Sequence, residues 1–187
     1  RNPIDRMGTE QLFSRKETIF RKGQSARHIY KVEVGCIRTC VHHRDGRRLI
    51  TGFYFPGDYI GLEMREKHAV SAETIIASKV RMIERKAINL RAASDIRVAK
   101  YMLTITNAEL QRAQYHSLLL RNSAYDRVAH FLFDMKKLNR RKEVDLIMTR
   151  QDIADHLNIT LETVSRVFTR LEKKAAISVR KYRHIAV

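Results

Sequence analysis

MTRQDIADHLNITLETVSRVFTRLEKKAAI, residues 148–177, is the stretch whose reading decides the fold. It carries two short runs of apolar residues at helical spacing. In the first, Thr149 is a cap and Ile153, Ala154 and Leu157 face inward. In the second, Thr160 is the cap and Val164, Val167, Phe168 and Leu171 face inward. Asn158-Ile159 lies between them, and Asn158 is the residue after glycine best able to adopt a positive φ. Two capped helices joined by so short a turn have helix-turn-helix spacing. The residues that follow, AISVRKYRHIAV (176–187), alternate like a hairpin with basic residues outward and read as a wing.

The inward set on the second helix leaves Glu162, Ser165 and Arg166 on its other face. Glu162 and Arg166 stand four residues apart, the spacing of a simple ion pair contributing a few tenths of a kcal/mol. In a helix-turn-helix the second helix lies in the major groove, where an acid among phosphates is unfavourable unless it reads a base. Glutamate accepts from cytosine N4, arginine donates to guanine O6 and N7, and serine serves either. Glu162, Ser165 and Arg166 are therefore the candidates for base reading, with the ion pair orienting Arg166 in the free protein. Thr149, Arg150, Gln151, Thr160, Thr163 and Arg170 are the candidates for contacts to the DNA backbone.

Composition agrees with a polyanionic partner. The chain has 187 residues, 37 Lys and Arg against 20 Asp and Glu, a formal net charge of +17 and a pI near 10.3. Each phosphate neutralised by a cation releases counterions. Nucleic acid leads among such partners and an anionic membrane surface follows. At 44% hydrophobic the chain can bury a core. It has neither a long apolar run nor a secretory leader, so no membrane association and a cytoplasmic location are the expectation. The first residue, Arg1, suggests a true N-terminus upstream. Two cysteines, Cys36 and Cys40, are too few for a disulfide framework and fit a reducing compartment.

Upstream, the pattern from Thr18 to about Ile83 is strand-like, with runs such as IYKVEV (29–34) and LITGFYF (49–55) interrupted by glycines, and it reads as an antiparallel roll or barrel. Asp45-Gly46 is a two-residue hairpin signal. No glycine follows Gly61 and no proline follows Pro56, so helix is expected for most of what remains. A long helix capped by Ser94 or Asp95 should run to about Leu120, with Ala99, Leu103, Thr106, Leu110, Ala113 and Ser117 along one stripe. That stripe suits either packing on its own domain or a two-fold coiled-coil contact between subunits. Another helix should start near Ser123 and carry Val128, Phe131, Leu132 and Met135 inward. It ends in KKLNRRK (136–142), a solvated loop or a phosphate contact.

With these residues in place, the chain resembles the CRP/FNR superfamily of bacterial transcription regulators over nearly its full length. The fold class implied is α+β: an antiparallel β-roll like a cyclic-nucleotide-binding domain (1–94), a dimerisation helix (95–120) and a winged helix-turn-helix (121–187). Glu162, Ser165 and Arg166 match the Glu-x-x-Ser-Arg of the FNR and FixK branch. The cyclic-AMP branch carries arginine before the glutamate and glycine before the final arginine, where this chain has Leu161 and Ser165. The resemblance implies a homodimer on double-stranded DNA, a TTGA-type palindrome rather than a TGTGA type, contact with RNA polymerase, and control of genes in microoxic conditions or nitrogen fixation.

It also implies what the roll lacks. Cyclic-nucleotide members carry Gly-Glu-Leu for the ribose and Arg-Ser-Ala for the phosphate; here Gly61-Leu62-Glu63 and Val70-Ser71-Ala72 stand there. A buried phosphate without its arginine is costly. Oxygen sensors of the superfamily place a cluster-ligating cysteine where this chain has Arg81. No cofactor is therefore expected. Cys36, Cys40 and His42 share a face of a presumed strand and sketch a metal site, but also fit two small core residues and a polar histidine near a turn. His42 and His43 point to opposite faces, and nothing supports His68 as a haem ligand. The rivals are a ligand- or redox-sensing regulator of the same superfamily, a basic RNA- or ribosome-binding protein, and an enzyme built on the roll. The last would need convergent catalytic groups, and none is visible.

Overall fold

Glycines and polar turns divide the first part of the chain into short strands, since a strand cannot continue through a residue at positive φ. In the computed structural model, which describes residues 2–139, 143–181 and 184–186, these are β1 (Thr9–Phe13), β2 (Thr18–Phe20), β3 (His28–Val34), β4 (Ile37–His42), β5 (Arg48–Tyr54), β6 (Tyr59–Ile60), β7 (Ser71–Thr74) and β8 (Ser78–Glu84). They form two four-stranded antiparallel sheets, in the orders β1-β8-β3-β6 and β2-β7-β4-β5. Phe13, Phe20, Tyr30, Val32, Ile37, Tyr54, Ile60, Ala72 and Val80 fill the space between. Each such burial contributes roughly 1.5–3 kcal/mol for a large apolar side chain. Gly35 makes the β3–β4 turn at φ +103°, where any Cβ would collide with Ser78.

The Asp45-Gly46 hairpin is wider than the two-residue turn expected. His43 N–H donates to the Arg47 carbonyl at 2.8 Å, and Gly46 N–H to the His43 carbonyl at 3.1 Å. Arg44, Asp45 and Gly46 therefore form a three-residue loop with Gly46 at φ +82°. Asp45 Oδ1 accepts from the Arg47 N–H at 3.1 Å, tightening the longer loop.

A helix that the sequence did not single out follows the roll: α1 (Arg85–Ser94), whose Ile88 is buried with Ile4, Ile29, Tyr59, Ile83 and Val98. α2 (Ile96–Leu119) then starts where expected. Asp95 rather than Ser94 caps it, its Oδ1 accepting from the Arg97 N–H at 3.0 Å. The chain divides into two compact units within α2, Arg1–Ala113 and Gln114–Val187.

In the second unit, α3 (Ala124–Asn139) begins at Ser123, whose Oγ accepts from the Asp126 N–H at 3.2 Å, and it buries Val128, Phe131, Leu132 and Met135 as expected. β9 (Glu143–Asp145), α4 (Arg150–Leu157), α5 (Leu161–Lys173), β10 (Ser178–Lys181) and β11 (His184–Ala186) complete it, with the strands paired in the order β10-β11-β9. The wing is thus an antiparallel hairpin extended by β9. The expectation that its basic side chains face outward falls outside the described residues, as does the Arg140–Lys142 part of the basic run. Among the described residues no helix is long and apolar enough to cross a membrane.

Candidate nucleic-acid interface

α4 and α5 owe their mutual position to two caps and one turn. Thr149 accepts from the Asp152 N–H at 3.1 Å, and Asp152 Oδ2 accepts in return from the Thr149 N–H at 3.0 Å, a reciprocal capping box. α4 stops at Asn158, which takes φ 51° and ψ 50°. Thr160 Oγ1 then accepts from the Thr163 N–H at 3.2 Å and opens α5. Arg127 of α3 donates to the Leu157 carbonyl at 3.0 Å, satisfying an end group of α4. The rings of His116 and His156 stack at 4.2 Å, and His116 Nε2 meets the His156 carbonyl at 2.8 Å. The sequence singled out neither fastening, because both join residues distant along the chain.

α5 packs on both α3 and α4 and buries Val164, Val167, Phe168 and Leu171, while α4 buries Ile153, Ala154 and Leu157. Glu162 and Arg166 lie exposed on the other face with Ser165 half-buried between them. Glu162 and Arg166 do not form the ion pair expected: Arg166 Nη2 donates instead to Thr163 Oγ1 at 3.2 Å. The Glu162 carboxyl is held below its ordinary range chiefly by its own backbone N–H and the Thr160 hydroxyl, and only to a lesser degree by Arg166. An acid in the first turn also meets the positive end of the helix dipole.

The remaining interface candidates have local partners. Arg150 lies 4.9 Å over the Phe168 ring, Arg170 lies 4.9 Å over Tyr125, and Gln151 Nε2 donates to Asp155 Oδ1 at 2.7 Å. Thr149 and Thr160 use their hydroxyl oxygens as caps; the Thr149 O–H also donates to Asp152 Oδ2 at 2.8 Å, and the Thr160 hydroxyl lies 3.1 Å from that of Thr163.

On α2, Leu103, Thr106, Leu110, Ala113 and Ser117 are exposed and Ala99 is half-buried. Ile96, Leu103 and Leu110 recur every seven residues at 67%, 63% and 54% exposure, and Ala99, Thr106 and Ala113 fall between them at the same period. Thr106, Leu110 and Ala113 of this stripe also border the cavity of the roll.

Inside the roll, a cavity of about 350 Å³ lies against α2, bordered by Thr51, Gly61, Leu62, Val70 and Ala113. Tyr54 donates its phenol O–H to Glu109 Oε1 at 2.6 Å, Arg112 Nη2 donates to Asp58 Oδ1 at 2.7 Å, and the Arg112 guanidinium lies 4.7 Å over the Tyr54 ring. Burial and the Glu109 carboxylate push the Tyr54 phenol up, so it remains a donor. Leu62 and Val70 border this space, where a ribose acceptor and a phosphate cation would otherwise be needed. Arg81 lies in β8 and is paired with Glu33 at 2.8 Å and with Glu10. His68 is buried, stacked 3.7 Å from the Phe20 ring, with Nδ1 2.6 Å from Glu63 Oε1. Cys36 and Cys40 are both buried and are not joined in a disulfide.

Comparison with known proteins gives two family matches: the Crp-like helix-turn-helix domain over residues 126–187 and the cyclic nucleotide-binding domain over residues 10–94. The chain is 40% identical over 186 residues to the nitrogen fixation regulation protein FixK of Azorhizobium caulinodans, covering 96% of this chain and 75% of that one. It is 34% identical to the transcriptional activatory protein AadR of Rhodopseudomonas palustris, covering 94% and 76%. The structure of FixK2 from Bradyrhizobium japonicum superposes with a TM-score of 0.91 at 36% identity, covering 97% of this chain and 92% of that one.

Proposed function

The chain belongs to the CRP/FNR family of transcription regulators, in its FixK-like branch, and on that premise we propose that it acts as a homodimer that activates transcription from a TTGA-type palindrome without a bound cofactor. It is a DNA-binding regulator and not an enzyme, as its relatives are. That sets aside the RNA-binding and catalytic readings. The observation that carries the proposal is the outward face of α5, where Glu162, Ser165 and Arg166 stand on a helix whose other face is locked into the core. Glu162 accepts from a cytosine N4 and Arg166 donates to a guanine. Thr149, Arg150, Gln151, Thr160, Thr163 and Arg170 ring this face and supply contacts to phosphates. Arg150 and Arg170 are braced on the rings of Phe168 and Tyr125.

The division of labour follows: residues 1–94 as effector-type roll, 95–120 as dimerisation helix, 121–187 as DNA-binding unit. Dimerisation is supported by the exposed seven-residue stripe on α2, which a second copy would cover by knobs-into-holes packing. Cofactor independence is supported by the roll cavity. Its cation, Arg112, is already balanced by Asp58, and the phenol of Tyr54 already joins the roll to α2 through Glu109. The chain thus supplies with its own side chains a connection that an effector would otherwise make. The names of its relatives support a role in nitrogen-fixation gene control, and the anaerobic regulatory proteins among them support a role in microoxic or anaerobic control; the proposed role lies in the cytoplasm and in contact with RNA polymerase. The test is DNA binding and transcription with purified components, with and without chelator, reductant and cyclic AMP. Activity in all arms is expected; activity only with an added metal or nucleotide would overturn the reading.

A further inference from the structure

The two-residue period of β4 puts Arg38, Cys40 and His42 on one face, opposite the inward-facing Ile37 and Thr39. Glu73 of β7 stands across from Arg38 and diagonal to Cys40. The sulfur of Cys40, a ring nitrogen of His42 and a carboxylate oxygen of Glu73 all lie within 4.8 Å of one another. Cys40 is fully buried, Glu73 half-buried and His42 exposed. The sulfur therefore forms the floor of the cluster and the imidazole its mouth.

We propose that Cys40, His42 and Glu73 hold one borderline-soft divalent cation of the Zn2+ class, with solvent in the fourth position. Tetrahedral zinc with bonds of about 2.0–2.3 Å needs ligand atoms roughly 3.3–3.8 Å apart. The three donor atoms, within 4.8 Å of one another, need to close by about 1 Å at most to reach that spacing. The donor set selects the metal: thiolate and imidazole suit zinc, whereas calcium and magnesium require oxygen cages. On binding, the Cys40 S–H bond gives up its proton to solvent and His42 coordinates as the neutral imidazole. The thiolate and the Glu73 carboxylate then balance the charge of the ion.

Two cations border the cluster. Arg38 donates Nη2 and Nε to Glu73 Oε2 at 2.8 and 3.2 Å, and Arg48 stands across from His42. They discourage any metal that leaves Cys40 protonated and so sharpen the preference for a thiophilic one. Arg38 holds the Glu73 carboxylate in place, as the outer partners of metal ligands do. Cys36 lies before β4, where its N–H donates to Ser78 Oγ at 3.3 Å, and it is not one of the three. This site goes beyond the DNA-binding reading and does not rest on it: Cys40, His42 and Glu73 do not line the roll cavity, and DNA binding does not require the ion.

The experiment uses the full chain, stripped of metal and titrated with Zn2+ against a chromophoric chelator, with bound zinc measured by atomic spectroscopy. Co2+ loading adds a second readout, the thiolate-to-cobalt charge-transfer absorption. One zinc per chain is expected, with that absorption present. C40S and H42A should lose both, E73Q should weaken zinc binding at least about tenfold, and C36S should keep the wild-type stoichiometry and spectrum. Circular dichroism reports whether each variant folds, and H42A, at an exposed position, decides the matter should C40S not fold. Absence of stoichiometric zinc in the wild type, or a cobalt spectrum unchanged by H42A, would overturn the proposal. Neither result depends on whether the chain binds DNA.

Discussion

Arg166 and Arg150 are both basic residues near the helix-turn-helix, and the proposed function gives them different work. Arg166 is exposed beside Glu162 and Ser165 and is held by Thr163, while Arg150 lies over Phe168 at the start of α4. Arg166→Ala should cost about 1–3 kcal/mol of binding free energy and relax discrimination at one G·C pair in each half-site. Arg150→Ala should weaken all sequences alike and lower the salt slope by about one. Binding measured on a matched and a mismatched duplex over a range of salt separates the two. An equal, sequence-independent loss for both would mean that α5 does not read bases as proposed. The inward and outward sets of α5 were legible in the sequence because a helical period fixes them once the apolar residues are known. The Glu162–Arg166 pair was misread because spacing alone does not register a nearer hydroxyl, Thr163, or the helix end that already satisfies Glu162.

Among the elements, helix ends carry the clearest predictions. Thr149→Ala removes the hydroxyl half of the α4 capping box and should lower stability by about 1 kcal/mol, read by chemical unfolding. Asp95 caps α2, and the Arg97 side chain and backbone N–H hold its carboxyl down at about 2, against an ordinary 3.8. Its folded-state pKa is depressed, so its contribution is present above about pH 4 and is lost as pH falls toward about 2. The stability gap between wild type and Asp95→Asn should therefore be open at neutral pH and close across that acid range. A gap that stayed constant down to pH 2 would contradict the capping role. Caps and strong apolar periods made α3, α4 and α5 readable in advance. α1 was not, because it buries a single residue, Ile88, through its whole length and so carries little period to detect. Nor could the sequence bring Glu73 to Cys40, or Glu109 to Tyr54 from 55 positions away, since such contacts arise only from strand order and helix placement.

For the whole molecule, the proposed function joins three properties: a second copy along α2, a connection between roll and helix made by the chain's own side chains, and a symmetric DNA site. Leu110→Glu places a charge on the exposed stripe and should shift sedimentation from dimer to monomer, with loss of binding to a full palindrome. A dimer that tolerated this charge would place the interface elsewhere. Tyr54→Phe removes the bond to Glu109 and should lower thermal stability by about 1–3 kcal/mol. The central claim is that this dimer reads a TTGA-type palindrome without any added effector. Selection of binding sites from random duplexes, with protein freed of metal and nucleotide, tests it most directly. The account predicts enrichment of an inverted repeat of TTGA-type half-sites about one helical turn apart. Enrichment of TGTGA half-sites, of a single unpaired half-site, or of any sequence only after cyclic AMP or a metal is added would contradict it.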